Sequence, residues 1–588
     1  MGPSFLGVEK SFTGRRWRAR PYDERTALAL AQRYMLPDIV ARSLAARGLD
    51  IDTTPRFLEP RLRETLPDPA GFKDMEKAAA RLADAVRGGE PVAVFGDFDV
   101  DGASSAALLL RFARALGREF RLYIPDRMRE GYGPNIEAMR RLADEGIKLT
   151  VCVDCGTTAF DPLAAAGEAG MEVIVVDHHT AEPALPPAFA VVNPNRLDEP
   201  MSADYGSLAA VGVTYLLVVA VNRFLRESGF YSGGGVKEPD LLAWLDLVAL
   251  GTVCDVVSLS GLNRVFVAQG LKVMERRNNA GIAELVATAG YKTGMNARAA
   301  AFILGPRINA GGRVGAADLG ARLLAADDKS EAAALAAQLE KLNAERRKIE
   351  ARVLAEADAI SFSDSAPLVF AASENWHAGV LGIVASRLKD KYQRPAVVVG
   401  IENGVGKGSG RSVNGLDLGA AVIAARQAGL LINGGGHRMA AGLTVAAENI
   451  GALREFLMER IGRQIAAEPL SPVLTLDGLA SGPSLGSDLA GKLSALAPFG
   501  PGNPEPRFAL AGCRIVRANI VGDKHVSVIA MHGGVRVRGI AFRAMENNLG
   551  HALLNRNAEP CHLAGCIRQD EWAGNGAAQL VIEDAAAA

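Results

Sequence analysis

Three aspartates follow a short apolar run early in the chain. The run Val92–Phe95 leads into Asp97-Phe98-Asp99-Val100-Asp101-Gly102. Because alternate residues of an extended chain point to one side, the three carboxylates are expected to converge just past the end of a strand. Clustered carboxylates repel one another unless a cation neutralises them, and hard divalent cations prefer oxygen ligands. The spacing therefore predicts a divalent-metal site.

An EF-hand calcium loop begins with the same spacing of acids. That loop requires a bidentate glutamate at its twelfth position, which is Leu108 here. EF-hand calcium binding is therefore excluded. A purely structural cluster is disfavoured too, because three aspartates without a nearby lysine or arginine would be costly.

Three further apolar segments also end at acidic or imidazole groups. They are Val151–Val153 before Asp154, Val173–Val176 before Asp177-His178-His179, and Trp244–Val253 before Asp255. Carboxylates with one or two imidazoles suit Mn²⁺ or Mg²⁺ in a paired-ion site that activates water against phosphorus. We expect all four segments to deliver these groups to one edge of a sheet.

The elements that would position these groups alternate along the chain. Short apolar runs and helical patterns follow one another from residue 90, which predicts an α/β domain whose parallel sheet is covered on both faces. Such a sheet binds its ligand at the carboxyl ends of the strands. An apolar stripe predicts a long connector helix from Lys329 to Ala359, and its interspersed polar residues are expected on a solvated face. Those residues are Asn343, Arg346, Arg347 and Glu350.

Composition shifts divide the chain into five parts. These are an N-terminal helical segment (1–70), an α/β domain (71–328), the connector helix (329–361), a smaller α/β domain (362–466) and a C-terminal β-barrel domain (467–588). The alanine-rich tail after Asp584 is expected to fray.

Overall composition excludes several classes of protein. The 588 residues are 49% hydrophobic and carry 65 Lys+Arg against 66 Asp+Glu, a net charge of −1, which excludes a disordered chain and a polycation that coats nucleic acid. The longest apolar segment, 208–221, is too short to span a bilayer and predicts a buried helix. Six cysteines form no disulfide framework, and the pair Cys152 and Cys155 lacks two further zinc ligands, so a cytoplasmic protein is expected.

Two further stretches suggest contacts with phosphate. Gly404–Ser412 is not a P-loop, because Gly408 replaces the required Ser or Thr; it favours a glycine-rich hairpin turn, although its amides with Ser409 and Arg411 could hold a phosphate. The short alternating strands of 511–542 favour an OB-fold that tracks the backbone of a single strand, because cations outnumber aromatic residues there. The cations are Arg514, Arg517, Lys524, Arg536, Arg538 and, just beyond, Arg543.

The acidic and histidine motifs resemble those of the DHH phosphoesterase superfamily. Longer stretches resemble its RecJ family of single-stranded-DNA-specific exonucleases, and the similarity runs from about Ala41 to Phe542. The stretches are Pro125-Asp126-Arg127, Glu130-Gly131-Tyr132-Gly133, Pro306-Arg307-Ile308-Asn309-Ala310, Gly312-Arg313, Trp376-His377-x-Gly379-Val380, Gly408-Ser409-Gly410-Arg411-Ser412, Gly434-Gly435-Gly436-His437 and Pro498-Phe499-Gly500-x-Gly502-Asn503-Pro504.

The resemblance implies roles for domains and residues. The two α/β domains would be a DHH catalytic domain and a DHHA1 substrate-binding domain, followed by a nucleic-acid-binding OB-fold. Asp154 would bridge two ions, and His179 would support the site or contact the scissile phosphate. The implied metal ligands are Asp97, Asp99, Asp101, Asp154, His178 and Asp255. The implied substrate contacts are Arg127, Tyr132, Arg307, Arg313, Ser409, Arg411 and His437.

The implied activity is Mn²⁺- or Mg²⁺-dependent 5′→3′ degradation of single-stranded DNA to 5′-mononucleotides, in recombination and repair. Single-strand-binding protein and a helicase are implied partners, and a monomer without membrane contact is expected. The alternatives are a small-substrate phosphoesterase and a catalytically inactive scaffold of the same fold; the third domain disfavours the first, and the complete ligand set disfavours the second. Phe98, Cys254 and Ala378 depart from the family pattern without removing a ligand.

Overall fold

The computed structural model describes residues 3–126, 129–233, 235–360, 362–363, 365–467, 472–556, 559–570 and 577–588. Its strands are β1 (Arg16–Ala19), β2 (Val92–Gly96), β3 (Arg121–Tyr123), β4 (Leu149–Val153), β5 (Glu172–Val176), β6 (Ala190–Val192), β7 (Val369–Glu374), β8 (Ala396–Glu402), β9 (Val405–Arg411), β10 (Asn433–His437), β11 (Ala440–Ala446), β12 (Val473–Leu476), β13 (Gly478–Leu479), β14 (Phe508–Val521), β15 (His525–His532), β16 (Val535–Ala541), β17 (Cys561–Gln569) and β18 (Ala578–Ala587).

The α-helices are α1 (Glu24–Tyr34), α2 (Asp38–Ala45), α3 (Thr54–Leu58), α4 (Leu62–Thr65), α5 (Met75–Gly88), α6 (Val100–Ala115), α7 (Ile136–Asp144), α8 (Phe160–Glu168), α9 (Ser202–Tyr205), α10 (Ala210–Glu227), α11 (Leu245–Cys254), α12 (Gly261–Glu275), α13 (Ala280–Thr288), α14 (Ala297–Ala299), α15 (Gly305–Val314), α16 (Leu319–Ala325), α17 (Lys329–Asp358), α18 (Leu381–Tyr392), α19 (Leu418–Gln427), α20 (Ile450–Ala467), α21 (Ser487–Ser494) and α22 (Asn548–Leu554).

These elements form two compact units. One contains residues 1–67, 256–269 and 471–588, and the other contains residues 68–255 and 270–470. In the first unit the N-terminal segment packs with the C-terminal region, since β1 pairs with β12 in parallel. The Trp17 indole N–H also donates to Asp584, 3.0 Å away. The five domain boundaries drawn from composition stay predictions.

The second unit contains the predicted parallel sheet. Its strand order is β3-β2-β4-β5-β6, and all four pairings are parallel. The strands are rich in valine and largely buried, as expected when helices cover both faces. Because parallel strands end at one edge, the residues after β2, β4, β5 and β6 are neighbours. The segment 208–221 lies largely in α10, a mostly buried helix, as predicted.

A second sheet follows in the same unit, with strand order β10-β11-β9-β8-β7. Here the expected glycine-rich hairpin turn is mostly strand: β9 lies between β8 and β11. The glycines leave room for core side chains, because a Cβ at Gly408 would lie 2.6 Å from the Leu443 side chain and one at Gly410 would lie 2.6 Å from the Leu418 side chain. Gly434–His437 likewise lies in β10, at the edge of this sheet.

The connector helix α17 runs from Lys329 to Asp358, and the carboxylate of its N-cap residue, Asp328, accepts from the Glu331 amide. The helix predicted from Lys329 to Ala359 is confirmed to within one residue. The expected solvated face is wrong for three of the four polar residues, since Asn343, Arg346 and Glu350 are buried. They are buried because they satisfy one another, as Arg346 bonds to both of the others.

The C-terminal part of the first unit is a closed barrel of β14, β15, β16, β18 and β17, in which β14 also pairs with β17. This confirms the predicted fold class. The alanine tail is not frayed, because Ala585–Ala587 pair with Cys561–Leu563 and both Ala585 and Ala586 are buried. Among the described residues, no helix is long and apolar enough to cross a membrane.

Candidate metal centre

The segment after β2 is fixed by hydrogen bonds that backbone amides donate to its aspartates. The Asp97 carboxylate accepts from the Phe98 amide at 2.7 Å. Asp99 is the N-cap of α6 and accepts from the amides of Asp101 and Gly102, at 2.9 and 3.1 Å. The cap starts α6 immediately, which places Asp101 on its first turn.

Asp101 is buried and bound by the start of another helix. Its two carboxylate oxygens accept from the amides of Ala210 and Val211, at 2.7 and 2.9 Å. These amides lie at the N-terminus of α10, where unpaired N–H groups and the helix dipole favour a negative charge.

The ends of β4 and β5 supply the next groups. Asp154 follows β4 and adopts a left-handed backbone conformation with φ of 59°, which is uncommon outside glycine. After β5, Asp177 accepts from the backbone amides of His178 and His179, at 2.7 and 3.2 Å. The His179 Nδ1 lies 2.7 Å from the same Asp177 oxygen, so Asp177 orients His179.

Asp255 arrives by a different route from the one expected. The apolar segment before it is helical (α11), not a strand, and Asp255 lies at the C-terminal end of this helix. A buried helix and a buried strand have the same continuous apolar character, so the run of residues alone does not separate them.

These residues converge on one cluster. The His178 Nε2 lies 3.3 Å from Asp154, 3.6 Å from Asp255 and 3.9 Å from Asp101. Three groups have ligand atoms within 4.8 Å of one another: Asp97, Asp99 and Asp154; Asp101, His178 and Asp255; and Asp154, His178 and His179. Asp154 belongs to the first and the third group, so it links Asp97 and Asp99 to the two histidines.

Burial and mutual repulsion perturb the acids of this cluster. Burial, followed by the charge of Asp99, raises the pKa of Asp101 to about 7. Burial, followed by the charge of Asp101, raises the pKa of Asp255 to about 9. The same causes raise the pKa of Asp154 well above its ordinary value.

The two histidines shift in opposite directions. Burial, followed by the nearby charge of His179, lowers the pKa of His178 to about 4, so its imidazole is neutral near pH 7. Burial opposes the charge of His179, but its hydrogen bond with Asp177 raises its pKa to about 9.

The donor set fits hard divalent cations. Among the described residues, the His178 Nε2 and an Asp255 oxygen are buried without a hydrogen-bond partner. Both atoms point into the acidic cluster, where a neutral imidazole and a carboxylate are good ligands. A cation would satisfy these two atoms and relieve the repulsion between the carboxylates.

Comparison with known proteins agrees with this site. Models of three families match: the DHH family N-terminal domain at residues 91–252, the DHHA1 domain at 365–463 and the RecJ OB domain at 476–584. The single-stranded-DNA-specific exonuclease RecJ of Dickeya dadantii is 35% identical over 93% of this chain and 96% of its own. The chain belongs to the RecJ family.

Solved RecJ structures have the same architecture. The Mn²⁺ complex of RecJ from Thermus thermophilus matches with a TM-score of 0.81 and 30% identity, over 97% of this chain and 79% of that chain. The Mg²⁺ complex matches with a TM-score of 0.74 and 28% identity, over 97% and 78%.

The RecJ resemblance also implied seven substrate contacts. One of them lies beside the metal centre, and two form a second polar group. Tyr132 lies beside the metal centre, with its ring 6.5 Å from that of His179. Ser409 and Arg411 form a second group on β9, 3.1 Å apart. A Cβ at Gly382 would lie 2.9 Å from Arg411, so this group lies at the first turn of α18, where a phosphate is favoured.

The other four are placed differently. Arg127 lies outside the described residues. Arg307 forms an ion pair with Glu340 of α17, 2.5 Å away, and Arg313 donates to the Gly379 carbonyl at 3.0 Å. His437 is exposed at the end of β10. These substrate contacts stay predictions for this RecJ-family chain.

Sequence reasoning missed three polar residues that support the histidines, of which Thr157 and Asn193 are buried. Thr157 donates its amide to Asp177 at 3.0 Å. Asn193 and Asn195 follow β6 at the same sheet edge and donate to the carbonyls of His179 and His178, respectively. The rule that identified the acids, a polar residue just after a buried strand, also applies to Asn193-Pro194-Asn195.

Proposed function

We propose that this chain is a metal-dependent 5′→3′ exonuclease that degrades single-stranded DNA to 5′-mononucleotides. The observation that carries the proposal is the convergence of five carboxylates and His178 on one partly buried cluster with two unpartnered ligand atoms. Membership of the RecJ family and the likeness to its Mn²⁺ and Mg²⁺ complexes support the choice of ion and substrate.

In this proposal the cluster holds two ions. Asp97, Asp99 and Asp154 would hold one ion, and Asp101, His178 and Asp255 would hold the other. Bound Mn²⁺ or Mg²⁺ would supply charge neutralisation and an activated water for in-line attack on phosphorus. His179, oriented by Asp177, contacts the scissile phosphate.

The remaining parts bind the strand. Ser409 and Arg411, at the first turn of α18, hold a phosphate of the substrate. The barrel binds the DNA backbone through arginines that stand in cross-strand rows on the outer face of β14, β15 and β16. Single-strand-binding protein and a helicase are proposed partners, and recombination and repair the proposed processes, on the RecJ resemblance alone.

The decisive test is digestion of DNA labelled at one end, with Mn²⁺ or Mg²⁺ present. We expect a 5′ label on single-stranded DNA to appear at once as mononucleotide, whereas a 3′ label stays on shortening strands. Blunt double-stranded DNA should be resistant. The Asp154→Asn variant, purified identically, controls for contaminating nucleases.

The outcomes separate this proposal from its alternatives. Equal rates on a dinucleotide and on a long strand would favour a small-substrate phosphoesterase. Early release of a 3′ label would reverse the polarity. Digestion that persists in Asp154→Asn, or in excess chelator, would exclude the proposed metal centre.

A further inference from the structure

The loop after β6 is anchored by one arginine that donates to two aspartates and to a backbone carbonyl. Arg196 is buried, and its Nη1 donates to the Val191 carbonyl at 2.6 Å and to Asp74 at 2.8 Å. Its Nε and Nη2 donate to the two oxygens of Asp198, each at 2.9 Å. These bonds of Arg196 therefore fix the position of the neighbouring residues 193–195, which contact the two histidines.

Asn193 closes a ring of hydrogen bonds around His179. Its Nδ2 donates to the Thr157 hydroxyl and to the His179 carbonyl, each at 2.8 Å. The Thr157 amide donates to one oxygen of Asp177, and the other oxygen lies 2.7 Å from the His179 Nδ1. Backbone and imidazole of His179 are thus held through the same network, in which Asn193 is completely buried.

Asn195 connects the segment that contains His178 with the segment that leads into α10. Its Nδ2 donates to the His178 carbonyl at 2.5 Å and to the Gly206 carbonyl at 2.9 Å. Four residues after Gly206, α10 begins with the two amides that bind Asp101. A Cβ at position 206 would lie 2.7 Å from the Ser202 carbonyl oxygen and 2.9 Å from the Asn195 Oδ1, so this approach requires glycine.

The two asparagines act as one clamp, because the Asn195 amide donates to the Asn193 side-chain oxygen at 2.7 Å. The side-chain nitrogen of each asparagine donates two hydrogen bonds to oxygen atoms of the protein. Each asparagine donates one of these bonds to the carbonyl of a histidine, which limits the positions that the imidazoles can take. Partners of this kind orient ligands before the metal arrives and lower the cost of ordering the site.

We propose that Asn193 and Asn195 are positioning residues that fix His178 and His179 against Asp101 and Asp177. The inference rests on the metal centre proposed above. The clamp sets the affinity for the ions and the rate of the chemical step, whereas capture of the DNA strand depends on other surfaces.

The test is Mn²⁺ binding to Asn195→Leu, which keeps the branched shape of the side chain and removes both donated bonds. The readouts are the Kd for Mn²⁺ from the free-ion EPR signal, the Tm of the metal-free protein, and kcat and KM on single-stranded DNA. We expect the Kd to rise about 10- to 100-fold and kcat to fall by a similar factor, with KM nearly unchanged.

The matched control is Asn222→Leu. Asn222 lies in the same unit and, like Asn195, makes two side-chain hydrogen bonds, to Glu238 and Tyr231; it is buried, whereas Asn195 is half-buried. It should lower Tm and leave the Kd for Mn²⁺ as in the wild type. If Asn195→Leu does not fold, Asn195→Asp is measured in its place, because it keeps the size while facing two carbonyls with an acceptor.

A folded Asn195 variant that binds Mn²⁺ with the wild-type Kd would overturn the inference while leaving the proposed function intact. An equal effect of Asn222→Leu on the Kd, or failure of both Asn195 variants to fold, would reduce the clamp to a general structural role and also overturn it. A wild-type chain that binds no Mn²⁺ would overturn the proposed function and, with it, the clamp.

Discussion

The carboxylates of the metal centre lower the stability of the metal-free protein, because they lie close together in a partly buried site. They provide the negative charge that a cation would bind. The cost is visible in the raised pKa values of Asp101, Asp154 and Asp255, which burial and neighbouring carboxylates produce together. Asp154 also has a left-handed backbone conformation, which is uncommon for residues other than glycine. The site therefore stores repulsion that a cation releases on binding.

This repulsion predicts the effect of Asp154→Asn on stability. Asparagine tolerates the left-handed conformation and removes one buried charge, so the Tm of the metal-free protein should rise. Addition of Mn²⁺ should stabilise the wild type further by mass action and the variant much less. Differential scanning fluorimetry with and without Mn²⁺ measures both effects. A metal-free Tm below that of the wild type would show that Asp154 is structurally required.

At the residue scale, most of the cluster could be predicted because one rule governs it. Buried strands of a parallel sheet end together, so the acids after β2 and β4 and the His178-His179 pair had to meet. The contribution of Asn195 could not be predicted in the same way. Its partners are carbonyl groups of the backbone, whose positions depend on how two distant loops fold.

At the scale of elements, α17 joins the two α/β parts of its unit through a polar seam. Arg346 bonds to Glu350 at 2.7 Å and to Asn343 at 3.0 Å. Arg387, on α18, reaches the other oxygen of Glu350 at 3.3 Å. The extent of the helix could be predicted from its N-cap and apolar stripe. The burial of its charges could not, because the second arginine comes from another helix.

The seam predicts a large effect of Glu350→Gln. The change leaves the buried Arg346 guanidinium without its counter-charge, and loss of one partner of a buried ion pair costs roughly 3–5 kcal/mol. The Tm from scanning calorimetry should fall accordingly. Arg347→Ala is the control on the same helix, since that side chain is exposed and should change stability by less than about 0.5 kcal/mol. Equal Tm values for the two variants would contradict a stabilising seam.

For the whole molecule, the net charge of −1 conceals a separation of charge. One unit contains the acidic cluster, and the other presents a basic face on its barrel. On this face Arg514, Met531 and Arg536 lie in one cross-strand row, and Arg517, Ile529 and Arg538 lie in the next. Residues directly opposite one another in an antiparallel sheet point to the same side, so each row alternates a cation, an apolar side chain and a cation.

The arginine rows predict how DNA binding depends on salt. Each contact between a cation and a single-strand phosphate lowers the slope of log K against log salt by about 0.7, through release of counterions. In an Asp154→Asn background that prevents cleavage, Arg517→Ala with Arg536→Ala should therefore make the slope shallower by roughly 1.4. Fluorescence anisotropy of labelled oligonucleotides of two unrelated sequences measures this slope. Binding of both oligonucleotides should weaken alike, because the backbone is the target.

Arg61→Ala is the control, since Arg61 is exposed in the same unit but lies 3.0 Å from Glu59 and 3.7 Å from Glu64. An unchanged slope in the double variant would remove the barrel face from the DNA path and leave strand capture to the unit that contains the metal centre.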